Sequence, residues 1–255
     1  MPVRFERDGK VATITLDRPE KLNAMDAEMY EQISTRLKEI DQDDSIWAGI
    51  ITGAGDRAFT AGADLVGLHG AAGTESGWAP ARPERFDLGL EVSKPLIGAV
   101  NGFCLAGGLE LALICDIRIA SETAQFGTPE VKWNLLHGYG AQLLPQIVGY
   151  SNAMYLLLTG HFIDAHEAHR IGLVQEVVGP HRLMARAREL ADEICANAPM
   201  AVRMTKELAL RSRNLSVADG VRLYQALNRI IESSEDLEEG TRAFAEKRKP
   251  DFKNR

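Results

Sequence analysis

Along the first half of the chain, short apolar runs alternate with polar turns. In "VRFERDGKVATITLDRP" two such runs flank Asp8-Gly9, a favoured turn dipeptide, and predict a hairpin of two short strands. From Asp26 to Ile40, Met29, Ile33, Leu37 and Ile40 recur at helical spacing and predict an amphipathic helix. "WAGIIT" (47–52) predicts a β-branched strand ended by Gly53. "PLIGAVNG" (95–102) is apolar throughout, as expected of a strand buried on both faces. Strand-like "DIRIA" (116–120) and "LVQEVV" (173–178) follow, with helical stretches between them. Strands alternating with helices imply an α/β fold with parallel pairing.

From Gly70 to Arg85 the chain is rich in Gly, Ala, Pro and Ser without helical periodicity, and reads as a mobile surface loop. After about Asn197 it becomes wholly helical. "SVADGVRLYQALNRIIESSED" carries an apolar stripe of Val217, Val221, Tyr224, Leu227 and Ile231, opened by a capping-box-like Ser216-x-x-Asp219. The tail, "AFAEKRKPDFKNR", is basic, and such charge runs are usually solvated ends. No internal repeat or low-complexity tract is evident.

Composition narrows the class. The chain has 255 residues, 45% of them hydrophobic and 25% charged, which suits a soluble protein with a sizeable core. A net charge of −7 argues against nucleic acid or an anionic membrane as partner, but leaves room for an anionic small ligand at a local positive patch. Cys104, Cys115 and Cys195 are widely spaced and odd in number, as expected of reduced thiols rather than a disulfide framework. "MPVRFERDGK" has neither an apolar signal core nor transit character, and no apolar run is long enough to span a bilayer. A cytoplasmic protein is expected.

Three stretches carry candidate chemistry. "CLAGGLELALICD" (104–116) is apolar enough to be buried, yet holds Glu110 three residues after Gly107. An unpaired carboxylate there costs several kcal/mol and needs a partner or a role. A helix beginning near Gly107 would turn unpaired N–H groups outward, making a donor site for an oxygen that carries negative charge, with Glu110 one turn deeper on the same face. Taken by itself, the segment fits tight Gly-Gly packing and a structural ion pair better. "AFTAGADL" (58–65) leaves backbone N–H groups accessible beside small residues; no amphipathic helix opens directly after Gly53-Ala54-Gly55, which excludes a dinucleotide loop. "AQFGTPEVKWNLLHGYG" (124–140) offers Glu130, which alone reads as a surface-loop acid.

Taken together and in order, "DRPEKLNAM", "ITGAGDRAFTAGADL", "KPLIGAVNGFCLAGGLELALICDIRIA", "AQFGTPEV" and "EGTRAFAEKRKPDF" resemble the crotonase superfamily, the enoyl-CoA hydratase/isomerase proteins, over essentially the whole chain. The resemblance implies a spiral of repeated ββα units over residues 1–196. It also implies a C-terminal helical region, 197–255, that builds trimers or hexamers and completes the CoA site. Two backbone N–H groups that bind the thioester oxygen of an acyl-CoA map onto Ala61 and Gly107. The two acids of the hydratases map onto Glu110 and Glu130. Their joint presence favours a hydratase over an isomerase, an acyl-CoA or diketone hydrolase, or a non-catalytic binding protein such as the fold's RNA-binding relatives. The resemblance lays Lys21, Leu22, Ala24, Ala63, Asp64 and Leu65 along CoA and offers Lys247 as a phosphate contact, from a neighbouring subunit. No metal or redox cofactor is implied.

The chain departs from the family pattern after Glu130. "VKWNLLHGYGAQLLP" has His137 in place of the usual proline, Tyr139 between the glycines, and one glycine fewer. The resemblance makes this loop the lining of the acyl end, with Trp133, His137 and Tyr139 as candidates. For His137 a shaping or hydrogen-bonding role is expected rather than a third proton-handling one. His166 and His169 lack a third ligand nearby and read as exposed residues rather than a metal site.

Overall fold

The structure is a computed structural model and describes residues 1–64 and 91–255. The Gly70–Arg85 segment and Leu65 lie outside those residues.

The expected hairpin forms from β1 (Val3–Asp8) and β2 (Val11–Leu16), paired antiparallel, with Gly9 at φ 60° in the turn. Helix α1 (Ala27–Gln42) begins at Asp26, whose side chain accepts the Met29 N–H, and buries Met29, Ile33, Leu37 and Ile40. The chain then alternates between two sheets. β3 (Ala48–Gly53), β5 (Leu96–Val100) and β7 (Ile117–Ser121) join a six-stranded sheet; β4 (Ala58–Thr60), β6 (Phe103–Leu105) and β8 (Gln125–Gly127) join a four-stranded one. Each successive strand pair thus adds one strand to each sheet, all in parallel, and the chain advances as a spiral of two-strand turns. α2 (Gly107–Leu113) follows β6; a 3₁₀ turn (Pro129–Trp133), α3 (Gly140–Val148) and α4 (Tyr150–Thr159) follow β8.

The outer strands close the sheets. β9 (Phe162–Asp164) pairs antiparallel with β8. After α5 (Ala165–Arg170), β10 (Glu176–Val178) pairs with β7. This last strand is shorter than its apolar run because Leu173 and Val174 are buried in the turn before it, where the Leu173 carbonyl accepts the buried Arg118 guanidinium at 2.7 Å.

β3 and β5 are buried along their full length because they are covered on both faces. Ile50, Ile97 and Ala99 meet α6 (Leu183–Cys195) through Leu183, Ala187 and Ala191, while Ile51, Leu96 and Val100 face the core shared with α1 and α2. Each large aliphatic side chain so buried contributes about 1.5–3 kcal/mol.

From Pro199 the chain is helical: α7 (Pro199–Ser212), α8 (Val217–Glu232) and α9 (Glu235–Glu246). Ser216 caps α8 by accepting the Asp219 N–H, as its sequence suggests. None of the α8 stripe is buried within the chain; Val217 is 86% and Tyr224 50% exposed. Among the described residues no helix is long and apolar enough to cross a membrane.

Candidate active site

Glycine brings two backbone segments into contact at the spiral's inner edge. Gly62 has φ 94°, and a Cβ there would fall 2.9 Å from the Leu105 carbonyl and 3.1 Å from the Gly107 nitrogen. A Cβ on Gly108 would strike the Thr60 carbonyl at 2.5 Å. The small residues of both motifs therefore let the 61–63 turn lie directly on the start of α2. Ala106, just before that helix, is held at φ 54° and ψ −127°, a conformation that costs a residue with a Cβ about 1–3 kcal/mol. It is pinned there by its N–H, which donates to Gly127, and by its carbonyl, which accepts from Leu109 and Glu110. Nothing in the sequence marks Ala106 as strained.

The expected pair of oxyanion donors needs one correction. The Ala61 N–H donates to the Leu22 carbonyl at 3.0 Å, so it is spent inside the fold. The Met25 N–H donates to Gly62 and the Asp64 N–H to Met25, which leaves the N–H of Ala63 between them outside this pattern. Ala63 N also lies near Gly107: a Cβ on Gly107 would be 3.9 Å from it, with the Tyr30 hydroxyl at 3.1 Å and Met25 Cε at 3.4 Å. Among the described residues, neither the Ala63 nor the Gly107 N–H takes part in the backbone bonds that fix their neighbours.

Both carboxylates are buried, Glu110 4% and Glu130 8% exposed. Glu110, on α2, accepts the N–H of Gly140 at 3.2 Å. Gly140 is the first residue of α3, so the carboxylate sits at that helix's positive end, which favours its anionic form. Glu130, on the 3₁₀ turn, meets His137 with Oε1 2.5 Å from Nδ1. Its Oε2, His137 Nε2 and the Thr128 hydroxyl are buried without a hydrogen-bond partner among the described residues. Such atoms are costly unless something else binds there. Gly140 links the two acids, since a Cβ on it would lie 2.4 Å from His137 Nε2 and 3.1 Å from Glu110 Cγ. His137 is thus an inward residue in contact with the acids, while Tyr139 is half-buried against the core. Trp133 is not brought into this enclosure: it is 67% exposed at the end of the 3₁₀ turn.

The "KLNAM" segment folds back against "AGAD" through residues the sequence reading missed. Leu22 and Asn23 are both left-handed, at φ 53° and 55°. Asn23 is fully buried; its Nδ2 donates to Ala54 and Ala58, and its Oδ1 accepts the Arg18 N–H. The Arg18 guanidinium donates to the Ala24 carbonyl at 2.8 Å and pairs with Asp26 and Asp64, and Lys21 reaches Asp64 at 3.5 Å. Asn is enriched in left-handed turns, which is the one available signal for Asn23. Lys21, Leu22, Ala24, Ala63 and Asp64 therefore lie together, beside Gly107. Lys247 does not join them: it is the exposed left-handed cap of α9.

The thiols offer no nucleophile here. Burial pushes Cys104 up and Cys115 up to about 12. His166 and His169 are exposed on α5, and among the described residues no cluster of three or more His, Cys, Asp or Glu is arranged to hold a metal.

Residues 6–255 match the family profile described as enoyl-CoA hydratase/isomerase. The chain is 41% identical to a probable enoyl-CoA hydratase of Rhizobium meliloti, over 98% of this chain and 97% of that protein. It is 40% identical to a short-chain-enoyl-CoA hydratase of Clostridium acetobutylicum, over 99% and 98%. The crystal structure of an enoyl-CoA hydratase from Bacillus anthracis superimposes with a TM-score of 0.93 at 32% identity, covering all of both chains. With two buried acids on this spiral, two backbone donors, Ala63 and Gly107, that no backbone bond among the described residues consumes, and relatives matched over nearly their full length, the chain belongs to the enoyl-CoA hydratase/isomerase family and has its crotonase fold.

Proposed function

We propose that this family member is a hydro-lyase that adds water across the 2,3 double bond of a 2-enoyl-CoA to give a 3-hydroxyacyl-CoA. The observation that carries the reading is the pair of buried carboxylates, Glu110 and Glu130, held around Gly140.

In this reading the thioester oxygen accepts the N–H groups of Ala63 and Gly107. As the water oxygen bonds to C3, the electrons of the double bond move onto the thioester oxygen as an enolate. Each well-placed donor stabilises the resulting charge by about 3–4 kcal/mol. Glu110, kept anionic at the start of α3, takes the proton leaving the water. Glu130 delivers a proton to C2, and the enolate collapses back to the thioester. Each transfer is worth about 10²- to 10⁴-fold in rate. The acid and base labels describe the direction of hydration only and exchange in the reverse reaction. The chemistry needs no metal or redox group; CoA is part of the substrate.

Lys21, Leu22, Ala24, Ala63 and Asp64 form the edge along which CoA lies, and Lys247 reaches its phosphates from a neighbouring subunit. The exposed apolar stripe of α8 supports assembly into a trimer or a hexamer. CoA chemistry and the buried free thiols fit a cytoplasmic enzyme. Loss of enoyl absorbance over a panel of enoyl-CoA thioesters tests the activity. Glu110→Gln and Glu130→Gln should each lower kcat by about 10²-fold or more while acyl-CoA still binds. Full turnover in either variant removes that residue from the mechanism, and isomerised product without water uptake replaces hydration by isomerisation.

A further inference from the structure

We infer that His137 is the positioning residue for Glu130: its Nδ1–H donates to Oε1, so that Oε2, the oxygen that carries the transferred proton, alone is presented to the substrate's α-carbon. The inference rests on the reading of Glu130 as the acid that serves that carbon.

The contact is specific to what this chain places at position 137, because the proline usual there in sequences of this pattern has no group that could reach Glu130. The side chains of His137 and Glu130 are 3% and 9% exposed, and Nδ1 and Oε1 are 2.5 Å apart, a separation that needs one proton between them. The ring N–H supplies it, donating to Oε1. Oε1 is thereby taken, and the proton that Glu130 delivers sits on the other oxygen, Oε2, which is buried without a partner among the described residues. The ring itself cannot swing away. Its far edge lies against Gly140, where even a methyl group would stand 2.4 Å from Nε2 and 2.7 Å from Cδ2. Gly138, left-handed at φ 45°, turns the chain between them. Gly140 in turn gives its N–H to Glu110, so one glycine fixes the imidazole on one side and the second acid on the other. Without the imidazole, the Glu130 carboxyl would be free to rotate about its terminal bond, and both the proton and the reactive oxygen would lose their fixed place.

Proton exchange tests this separately from hydration. A saturated acyl-CoA cannot add water, but its α-hydrogen can be removed and replaced by deuterium from D₂O through the same enolate, a step that needs the oxyanion donors and Glu130 only. His137→Ala should lower both kcat for hydration and this exchange by about 10²-fold, with KM within about threefold of wild type. His137→Asn, whose amide N–H can donate from near the Nδ1 position, should recover at least about tenfold of each. Equal losses in the two variants, or a loss carried by KM, would overturn the assignment. Should the Ala variant fail to fold, the wild-type protein still decides: a far-downfield imidazole proton resonance should be present and vanish in Glu130→Gln, and its absence from the wild type refutes the pairing. Loss of hydration throughout, with exchange intact and dependent on His137, would sink the hydratase reading and leave this one standing.

Discussion

Gly140→Ala is the sharpest perturbation of the site because it adds one methyl group between Glu110 and His137, the residue that holds Glu130. Gly140 does not adopt a positive φ, so alanine is sterically allowed for the backbone and gains up to about 1 kcal/mol of helix propensity. Against this, the new Cβ would stand 2.4 Å from His137 Nε2, about 1 Å inside ordinary contact, and 3.1 Å from Glu110 Cγ. His137 is 4% exposed and tied to Glu130, so it has no easy direction in which to yield. Overpacking of this kind costs about 1–3 kcal/mol, which leaves a net destabilisation of roughly 0–2 kcal/mol. For a chain of this size that is a fall in Tm of about 8 °C at most. The effect on turnover should be much larger. A displacement of about 1 Å among reacting groups costs about 10²-fold, and here it falls on the imidazole and on Glu110, and through the imidazole on Glu130. Hydration rates followed by ultraviolet absorbance, alongside a thermal melt, separate the two effects. Gly179→Ala, where a methyl meets nothing within 4 Å, is the control and should leave both unchanged. If Gly140→Ala keeps kcat within about twofold, the two acids do not depend on that contact and the geometry argued above is wrong.

Asn23→Ala should test the turn under the proposed CoA edge. It removes a left-handed asparagine and three buried hydrogen bonds, to Arg18, Ala54 and Ala58, at a cost of about 2–4 kcal/mol; a Tm within 2 °C of wild type would contradict this. The C-terminal tail should loosen in acid. Arg248, Arg242 and the Asp251 N–H hold the Glu239 carboxyl well below its ordinary value of 4.5. The group therefore binds more protons in the unfolded chain than in the folded one; its stabilising contribution is complete above that ordinary value and is lost as pH falls toward the depressed folded one. Amide exchange in residues 248–255, compared at neutral pH and in acid, should rise first in the tail; uniform protection down to global unfolding would refute it.

The parts of the fold that were legible in the sequence are those in which periodicity reports burial. The α1 stripe and the apolar strand β5 were readable because each buries the residues that define its pattern, and the hairpin because its exposed Asp8-Gly9 turn supplies the left-handed glycine the reversal needs. The α8 stripe was equally visible, but none of it is buried within the chain. At the site, identity and order carried further than spacing. Both acids could be named from the motifs, yet Glu130 alone looked like a surface residue, because a 3₁₀ turn gives no hydrophobic period from which burial can be inferred. Ala61 shows the limit most clearly. A row of small residues says that backbone N–H groups are accessible, but not which of them the fold itself consumes. That depends on a carbonyl 39 positions away in the chain, Leu22, which points at Ala61 only because Leu22 and Asn23 are both left-handed. Because a side chain leaves its own N–H in place, only a change that removes that N–H can separate the two candidates. An ester in place of the amide N–H at residue 63 should lower kcat by about 10²- to 10³-fold with little loss of stability, whereas the same replacement at residue 61 should act on stability through the lost bond to Leu22. A loss of turnover confined to the substitution at 61 would restore Ala61 to the oxyanion site and remove Ala63 from it.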